Sequence, residues 1–142
     1  MIRRFQAHDL SAVMQIWLDA NRDAHRFIPA DHWTDHFEQV AAALPLAEVF
    51  VHVDEDTNRI DGFIGLDEDH IEGLFVAEGR RSRGIGWQLL DHAKGRRTQL
   101  SLCVYRKNDK ALSFYRRERF VVQAEGIDPD TGEAELRMLW RR

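Results

Sequence analysis

Arg81-Ser82-Arg83-Gly84-Ile85-Gly86 is the stretch on which the reading of this 142-residue chain turns. It lies between His70–Val76, which reads as a strand, and a segment from Gly84 or Ile85 to about Lys94 that reads as a helix closed by Gly95. Unpaired N–H groups at a helix N-terminus point outward, and the helix dipole favours negative charge there. Gly84 and Gly86 remove side chains, so backbone amides can approach phosphate oxygens, while Arg81 and Arg83 add donors and charge. This is not a Walker loop, which needs Gly-Lys-Ser/Thr. It is not the Gly-x-Gly-x-x-Gly dinucleotide fingerprint either, because position 89 is Leu. A lone Gly-x-Gly is also an ordinary turn, but the strand before, the helix after and the flanking arginines favour phosphate binding.

Outward from this loop, the hydrophobic pattern predicts a strand over Ile2 to Gln6 and a helix capped by Asp9 and running through Ala24, with Leu10, Val13, Met14, Trp17 and Leu18 on one stripe. A second helix is expected from about Asp31 to Ala43, stopped by Pro45. Val49–Val53 and Ile60–Leu66 read as a hairpin. Beyond the loop come a strand over Leu100–Tyr105, a helix over Asp109–Arg117, and two strands, Phe120–Ala124 and Ala134–Trp140. The order describes one mixed α/β (α+β) domain over residues 1–142, with a central, mostly antiparallel twisted sheet flanked by helices.

Charge is divided unevenly along the chain. Arg80 to Arg119 holds twelve Lys or Arg against three acids, a net of +9, while the remainder carries −13 of the total of −4. A basic segment suits a polyanionic ligand or a solvated face. It lacks helix-turn-helix and zinc-finger signatures, so no nucleic-acid partner is expected. No apolar run approaches the ~20 residues of a membrane span. With no signal core at the start and the single Cys103, the expectation is a cytoplasmic protein without a membrane partner.

Two motifs now stand at a fixed separation. Arg81, Gly84 and Gly86 match Arg/Gln-x-x-Gly-x-Gly/Ala, and Asn108-Asp-Lys-Ala-Leu-Ser-Phe-Tyr115-Arg-Arg-Glu-Arg-Phe120 matches Asn-x-x-Ala-x-x-Phe-Tyr-x-x-x-Gly-Phe. Both resemble the GNAT superfamily of acetyl-coenzyme A-dependent N-acetyltransferases, over nearly the whole chain. Within it the chain is similar to short bacterial acetyltransferases of the YjaB and YiaC type, His25-Arg26-Phe27-Ile28 included. It departs from the family's pattern at Glu78, where proline is frequent, and at Arg119, where glycine is usual. The resemblance implies a GNAT-like fold, acetyl-CoA as cosubstrate, no metal, and transfer of acetyl to a primary amine. It also implies cofactor contacts from Leu74, Phe75 and Val76 on the central strand, from Arg81, Ser82, Arg83, Gly84, Ile85, Gly86 and Trp87, and from Asn108 and Tyr115.

By the same resemblance, the Val76 N–H is the expected partner of the thioester carbonyl, and Tyr115 is expected near the sulfur, as proton donor to the departing thiolate or as a hydrogen-bond donor to it. His70 and Glu72 alternate along one strand, which places both on one face. His70 is the preferred base because its unperturbed pKa of ~6.5 suits neutral pH, with deprotonation through water as the alternative. His25, Phe27 and Trp33 are expected at the acceptor entrance. His32 and His36 share a helical face but lack the Glu of His-Glu-x-x-His and a third ligand, so a solvated face is preferred to zinc. The acid run Asp54, Glu55, Asp56, Asp61, Asp67, Glu68, Asp69 and Glu72, opposed by Arg59 alone, points to a cationic acceptor. The acceptor stays open between a protein amine and a small molecule, and assembly between a monomer and a homodimer. A non-catalytic acyl-CoA sensor would share the cofactor residues, and Tyr115 favours the enzyme.

Overall fold

Seven strands, Ile2–Arg4, Glu48–Val53, Ile60–Asp67, His70–Val76, Gln99–Tyr105, Val121–Ile127 and Ala134–Arg141 (β1 to β7), form one sheet in the order β1-β2-β3-β4-β5-β7-β6. The computed structural model describes residues 1–81 and 83–142. Among these described residues four α-helices accompany the sheet: Leu10–Ala24 (α1), Ala30–Ala43 (α2), Ile85–Lys94 (α3) and Asp109–Arg117 (α4). Every neighbouring strand pair is antiparallel except β4 with β5, which are parallel and joined through α3, since a parallel pair needs a crossover.

Alternation along the strands sorts the apolar side chains into two layers. Phe50, Ile64, Leu66, Ile71, Leu100, Leu102 and Met138 face α3 and α4, meeting Ile85, Leu89, Leu90, Leu112 and Tyr115. Val49, Val51, Val53 and Phe63 face α1 and α2, meeting Val13, Met14, Trp17 and Trp33. Leu89 and Leu90 are fully buried, and burial of each side chain contributes about 1.5–3 kcal/mol. At Gly62 an added Cβ would lie 3.0 Å from the Ile85 side chain, which is how closely α3 seats on β3.

Two local expectations change. Asp9 does not cap α1 with its side chain; it ends a 3₁₀ turn, Ala7–Asp9, and its carboxylate accepts from the Gln6 backbone N–H (2.8 Å) and from both Arg3 Nη atoms (2.7 and 3.0 Å). The Arg3 hydrogen bond, ahead of the opposing effect of burial, holds that carboxyl below its ordinary range. In β4 strict alternation fails at Glu72. Leu66 pairs with Ile71 and Gly65 with Gly73, so Glu72 is an extra residue in a β-bulge. Ile71, Leu74 and Val76 therefore pack on the α3 side, while Phe75 joins the α1–α2 side.

Among the described residues β4 and β5 are paired only at His70 with Ser101. Past that point they diverge, and the sheet is open between its fourth and fifth strands.

Candidate active site

The orientation of the β4 backbone at this opening follows from one hydrogen bond. Ala77 N–H donates to the Asp61 carbonyl (2.8 Å), making 61 and 77 a hydrogen-bonded antiparallel pair. The adjacent pairs then alternate: Gly62 with Val76 and Ile64 with Leu74 are non-bonded pairs, so the N–H and C=O groups of Val76 and Leu74 point away from β3 and into the opening. A ligand lying along β4 meets backbone donors and acceptors there.

The opening belongs to a cleft of about 1190 Å³ whose walls come from both layers. Leu74, Phe75 and Val76 line it, with Arg81, Gly84, Ile85, Gly86 and Trp87 from the loop and α3, Asn108 and Tyr115 from α4, and His25 from the end of α1. Eleven expected site residues are thus brought together. Arg83 is exposed and outside this lining, and Ser82 lies outside the described residues. His70, Glu72, Phe27 and Trp33 are not among the lining residues.

α3 begins at Gly84, whose φ of 79° is left-handed and suits glycine. Gly86 has a different reason. A Cβ there would sit 3.7 Å from Phe114 and 3.8 Å from Val76, ordinary contact, so the protein alone would tolerate a side chain and its absence leaves the cleft wall bare. Trp87 is half exposed at the same end of the helix. Arg81 reaches across the cleft: its Nε donates to the Val76 carbonyl (3.1 Å) and its Nη1 pairs with Asp23 on α1. Hydrogen bonding from Arg81, then from Arg26, holds the Asp23 carboxyl below its ordinary range.

Asn108 caps α4, its Oδ1 accepting from Ala111 N–H (3.2 Å), and its Nδ2 stands 3.2 Å from His25 Nε2. The end of α1 is thereby tied to the start of α4 across the opening. Tyr115 is buried between Phe114 and Phe120, with ring centroids 5.2 and 5.4 Å away, and borders the cleft. Burial pushes its phenol above the usual range, which keeps the proton on oxygen.

On the α1–α2 side, His25 sits against Phe27 (5.7 Å), Trp33 (5.3 Å) and Tyr105 (5.0 Å). Trp33 is 7% exposed and belongs to the core, while Phe27 packs on the cluster's edge. The Tyr105 hydroxyl donates to Asp128 (2.5 Å). His70 Nδ1 is 2.9 Å from Ser101 Oγ, at the closed end of the opening, and Arg137 Nη2 donates to the same oxygen at 3.4 Å. Glu72 is exposed at the bulge. The acid run is not one free field: Asp61 is 3% exposed and bound to His52 and Arg80, Asp54 pairs with Arg80, and Asp69 pairs with Arg97.

The cleft also contains residues the sequence did not single out, notably Asp23, Arg80, Lys107, Lys110, Phe114 and Arg117. Arg80 adjoins the glycine motif and the α4 cations lie in the basic segment, which were usable signals. Asp23 had none, since its partner lies 58 residues away in the chain. Among the described residues no group of three or more His, Cys, Asp or Glu is arranged to hold a metal ion, and no helix is long and apolar enough to cross a membrane.

Residues 45–122 match the model of the acetyltransferase (GNAT) domain. The chain is 35% identical over 121 residues to the peptidyl-lysine N-acetyltransferase YiaC of Escherichia coli, covering 84% of this chain and 82% of that one. It is 29% identical over 132 residues to the peptidyl-lysine N-acetyltransferase YjaB of the same organism, covering 93% and 89%. The solution structure of apo YjaB superposes with a TM-score of 0.88 over 99% of this chain and 96% of that one, at 27% identity. A putative streptothricin acetyltransferase from Bacillus anthracis, in complex with acetyl coenzyme A, shares the fold at 21% identity and a TM-score of 0.60, over 68% of this chain and 62% of its own. With a seven-stranded sheet open between β4 and β5, a glycine-initiated α3 beside the opening, and a family model matched over more than half its length, the chain belongs to the GNAT family of acetyltransferases.

Proposed function

We propose that the protein transfers the acetyl group of acetyl-CoA to the side-chain amine of a lysine in a protein or peptide. The observation that carries this reading is the open seam of the sheet, where backbone groups of Leu74 and Val76 that have no strand partner face a cleft bordered by Tyr115 and by the start of α3. The phosphates belong at the bare start of α3, where Gly84, Gly86 and Arg81 supply amides and charge. The pantetheine arm then runs along β4 away from the loop, from Val76 at the mouth toward His70, roughly 20 Å of extended strand.

That direction moves one assignment. Val76, whose carbonyl already receives Arg81, lies at the phosphate end. The deeper N–H of Leu74 is therefore the better partner for the thioester carbonyl, and Val76 the better partner for the arm. The amine nitrogen attacks the carbonyl carbon, the Leu74 N–H stabilises the oxyanion, and the C–S bond breaks with Tyr115 delivering its proton to the thiolate. His70, with Nδ1 directed at Ser101, takes the proton of the attacking amine at Nε2 through intervening water, since it stands four residues along the strand from Leu74, and the Glu72 carboxylate adds negative charge on the acceptor side. His25 and Phe27 belong to the wall the acceptor passes, with Trp33 supporting them from the core. The lysine acceptor is drawn from the named activity of YiaC and YjaB and suits the carboxylates of Glu72 at the bulge, of Asp128, which accepts from Tyr105, and of Glu135, the β7 residue paired with Tyr105.

Acetyl-CoA with a lysine peptide, an α-amine peptide and a polyamine, assayed for thiol release and by mass spectrometry, checks both the cosubstrate and the acceptor. Acetylation at the lysine ε-amine is the expected product; turnover of the polyamine alone discards the lysine reading. Tyr115→Phe keeps the ring and should lower the single-turnover rate by roughly 10²-fold or more with little change in coenzyme affinity. An unchanged rate removes Tyr115 from the chemistry.

A further inference from the structure

Behind the cleft lies a buried polar network that the proposed chemistry does not use. His52 on β2 and Asp61 on β3 are 8% and 3% exposed, and His52 Nδ1 is 2.6 Å from Asp61 Oδ1. His52 Nε2 is 3.2 Å from Gln88 Oε1 on α3. The second Asp61 oxygen accepts from Arg80 Nε at 3.3 Å, and Arg80 Nη2 pairs with Asp54 at 3.2 Å. Four segments of chain, β2, β3, α3 and the loop between β4 and α3, therefore meet through side chains that a core of this size could replace with apolar groups at little cost. A buried charged network of this kind is better explained by what it places than by the stability it adds.

What it places is Arg80, which lines the cleft one residue before Arg81. A guanidinium has five N–H donors in a rigid fork. Here one edge of the fork, Nε and Nη2, is pinned by two carboxylates, which fixes the plane and leaves the Nη1 end for a ligand. The two acids would oppose an anion if their charge were free, but Asp61 is shared with His52 and turned into the protein. We propose that His52, Asp61 and Gln88 form a brace that aims Arg80 at the coenzyme's phosphates, making Arg80 a phosphate-binding residue and His52 a positioning residue that acts through it. This rests on the reading that the cleft takes acetyl-CoA.

The test is a double-mutant cycle read by calorimetry with coenzyme A and with pantetheine, which has no phosphate. Arg80→Gln should weaken coenzyme A binding by about tenfold or more, the scale of one charge-assisted contact, and change pantetheine binding less than about twofold. His52→Leu should give a similar phosphate-selective loss in the native background and little further loss beside Arg80→Gln, because it acts through that arginine. His52→Asn, which returns an amide N–H near the position of Nδ1, should recover much of the affinity. In turnover, these losses should appear in KM for acetyl-CoA and not in kcat. Should His52→Leu fail to fold, Gln88→Leu, at a half-buried position, takes its place in the cycle. Arg80→Gln that leaves coenzyme A binding unchanged overturns the proposal, as does His52→Leu that weakens both ligands alike in both backgrounds. A native protein that binds no coenzyme A overturns the functional reading along with it, whereas native binding with insensitive variants overturns this proposal alone.

Discussion

His25 is enclosed by Phe27, Trp33 and Tyr105, and burial pushes its pKa down from 6.5 to about 4. Between those two values the unfolded chain binds a proton at His25 that the folded protein does not, so stability rises with pH across the window. The contribution is complete above about pH 6.5 and is lost as pH falls toward 4, an effect on the order of 3 kcal/mol. His25→Gln offers the Asn108 amide an acceptor without the titration. Urea unfolding at pH 4.5 and 7 should therefore show a smaller acid loss in the variant than in the native protein; equal losses would mean that other groups set the acid limit. His25, which lines the cleft, was expected at the acceptor entrance only through the family resemblance, which assigns that side to the first two helices. The buried position of Trp33 was not legible in the sequence, because an aromatic residue at a helix start has the same local pattern whether it faces a ligand or a core.

At the scale of elements, Arg119 closes the turn after α4 with a φ of 72°, the conformation for which the family's usual glycine is suited. The strain is tolerated because the surrounding chain is well held: Phe120 N–H donates to the Tyr115 carbonyl at 2.9 Å, and Lys94 Nζ donates to the Glu118 carbonyl at 2.8 Å. Arg119→Gly should stabilise the protein by about 1 kcal/mol, visible as a raised urea midpoint at unchanged slope. A lowered midpoint would show that the arginine side chain is worth more than the relief of its backbone. The helices and strands themselves were legible in order, because their apolar periods are clean and Gly95, Pro45 and the polar turns punctuate them. The slip at Glu72 was not: a bulge is set by which β3 residue stands opposite, and nothing within His70–Val76 states that partner. Leu74, Phe75 and Val76 of this strand do line the cleft, while His70 and Glu72 do not, and their faces were read from an alternation that the bulge interrupts.

Across the whole molecule, the division of charge found in the sequence acquires a place. The basic segment Arg80–Arg119 supplies Arg80, Arg81, Lys107, Lys110 and Arg117 to the cleft, and several acids of the other half, Asp23, Asp54 and Asp61 among them, hold those arginines from behind or across the opening. Such pairings between distant segments escape any reading of local pattern. The single joint between β4 and β5, His70 with Ser101, has a further effect on how the molecule moves as a body. Backbone bonding knits β1 to β4 into one plate and β5 to β7 into another, and the plates meet at that joint as two covers meet at a spine. Amides of Leu74 and Val76, lacking a strand on one side, should exchange their hydrogens with solvent much faster than Phe63 or Leu102 deep within each plate. Coenzyme A should slow exchange at these two amides more than at others in the sheet, measured by hydrogen–deuterium exchange; uniform slowing would place the ligand elsewhere. On this view the cosubstrate is, for the length of one turnover, the missing strand that binds the two plates into a single sheet.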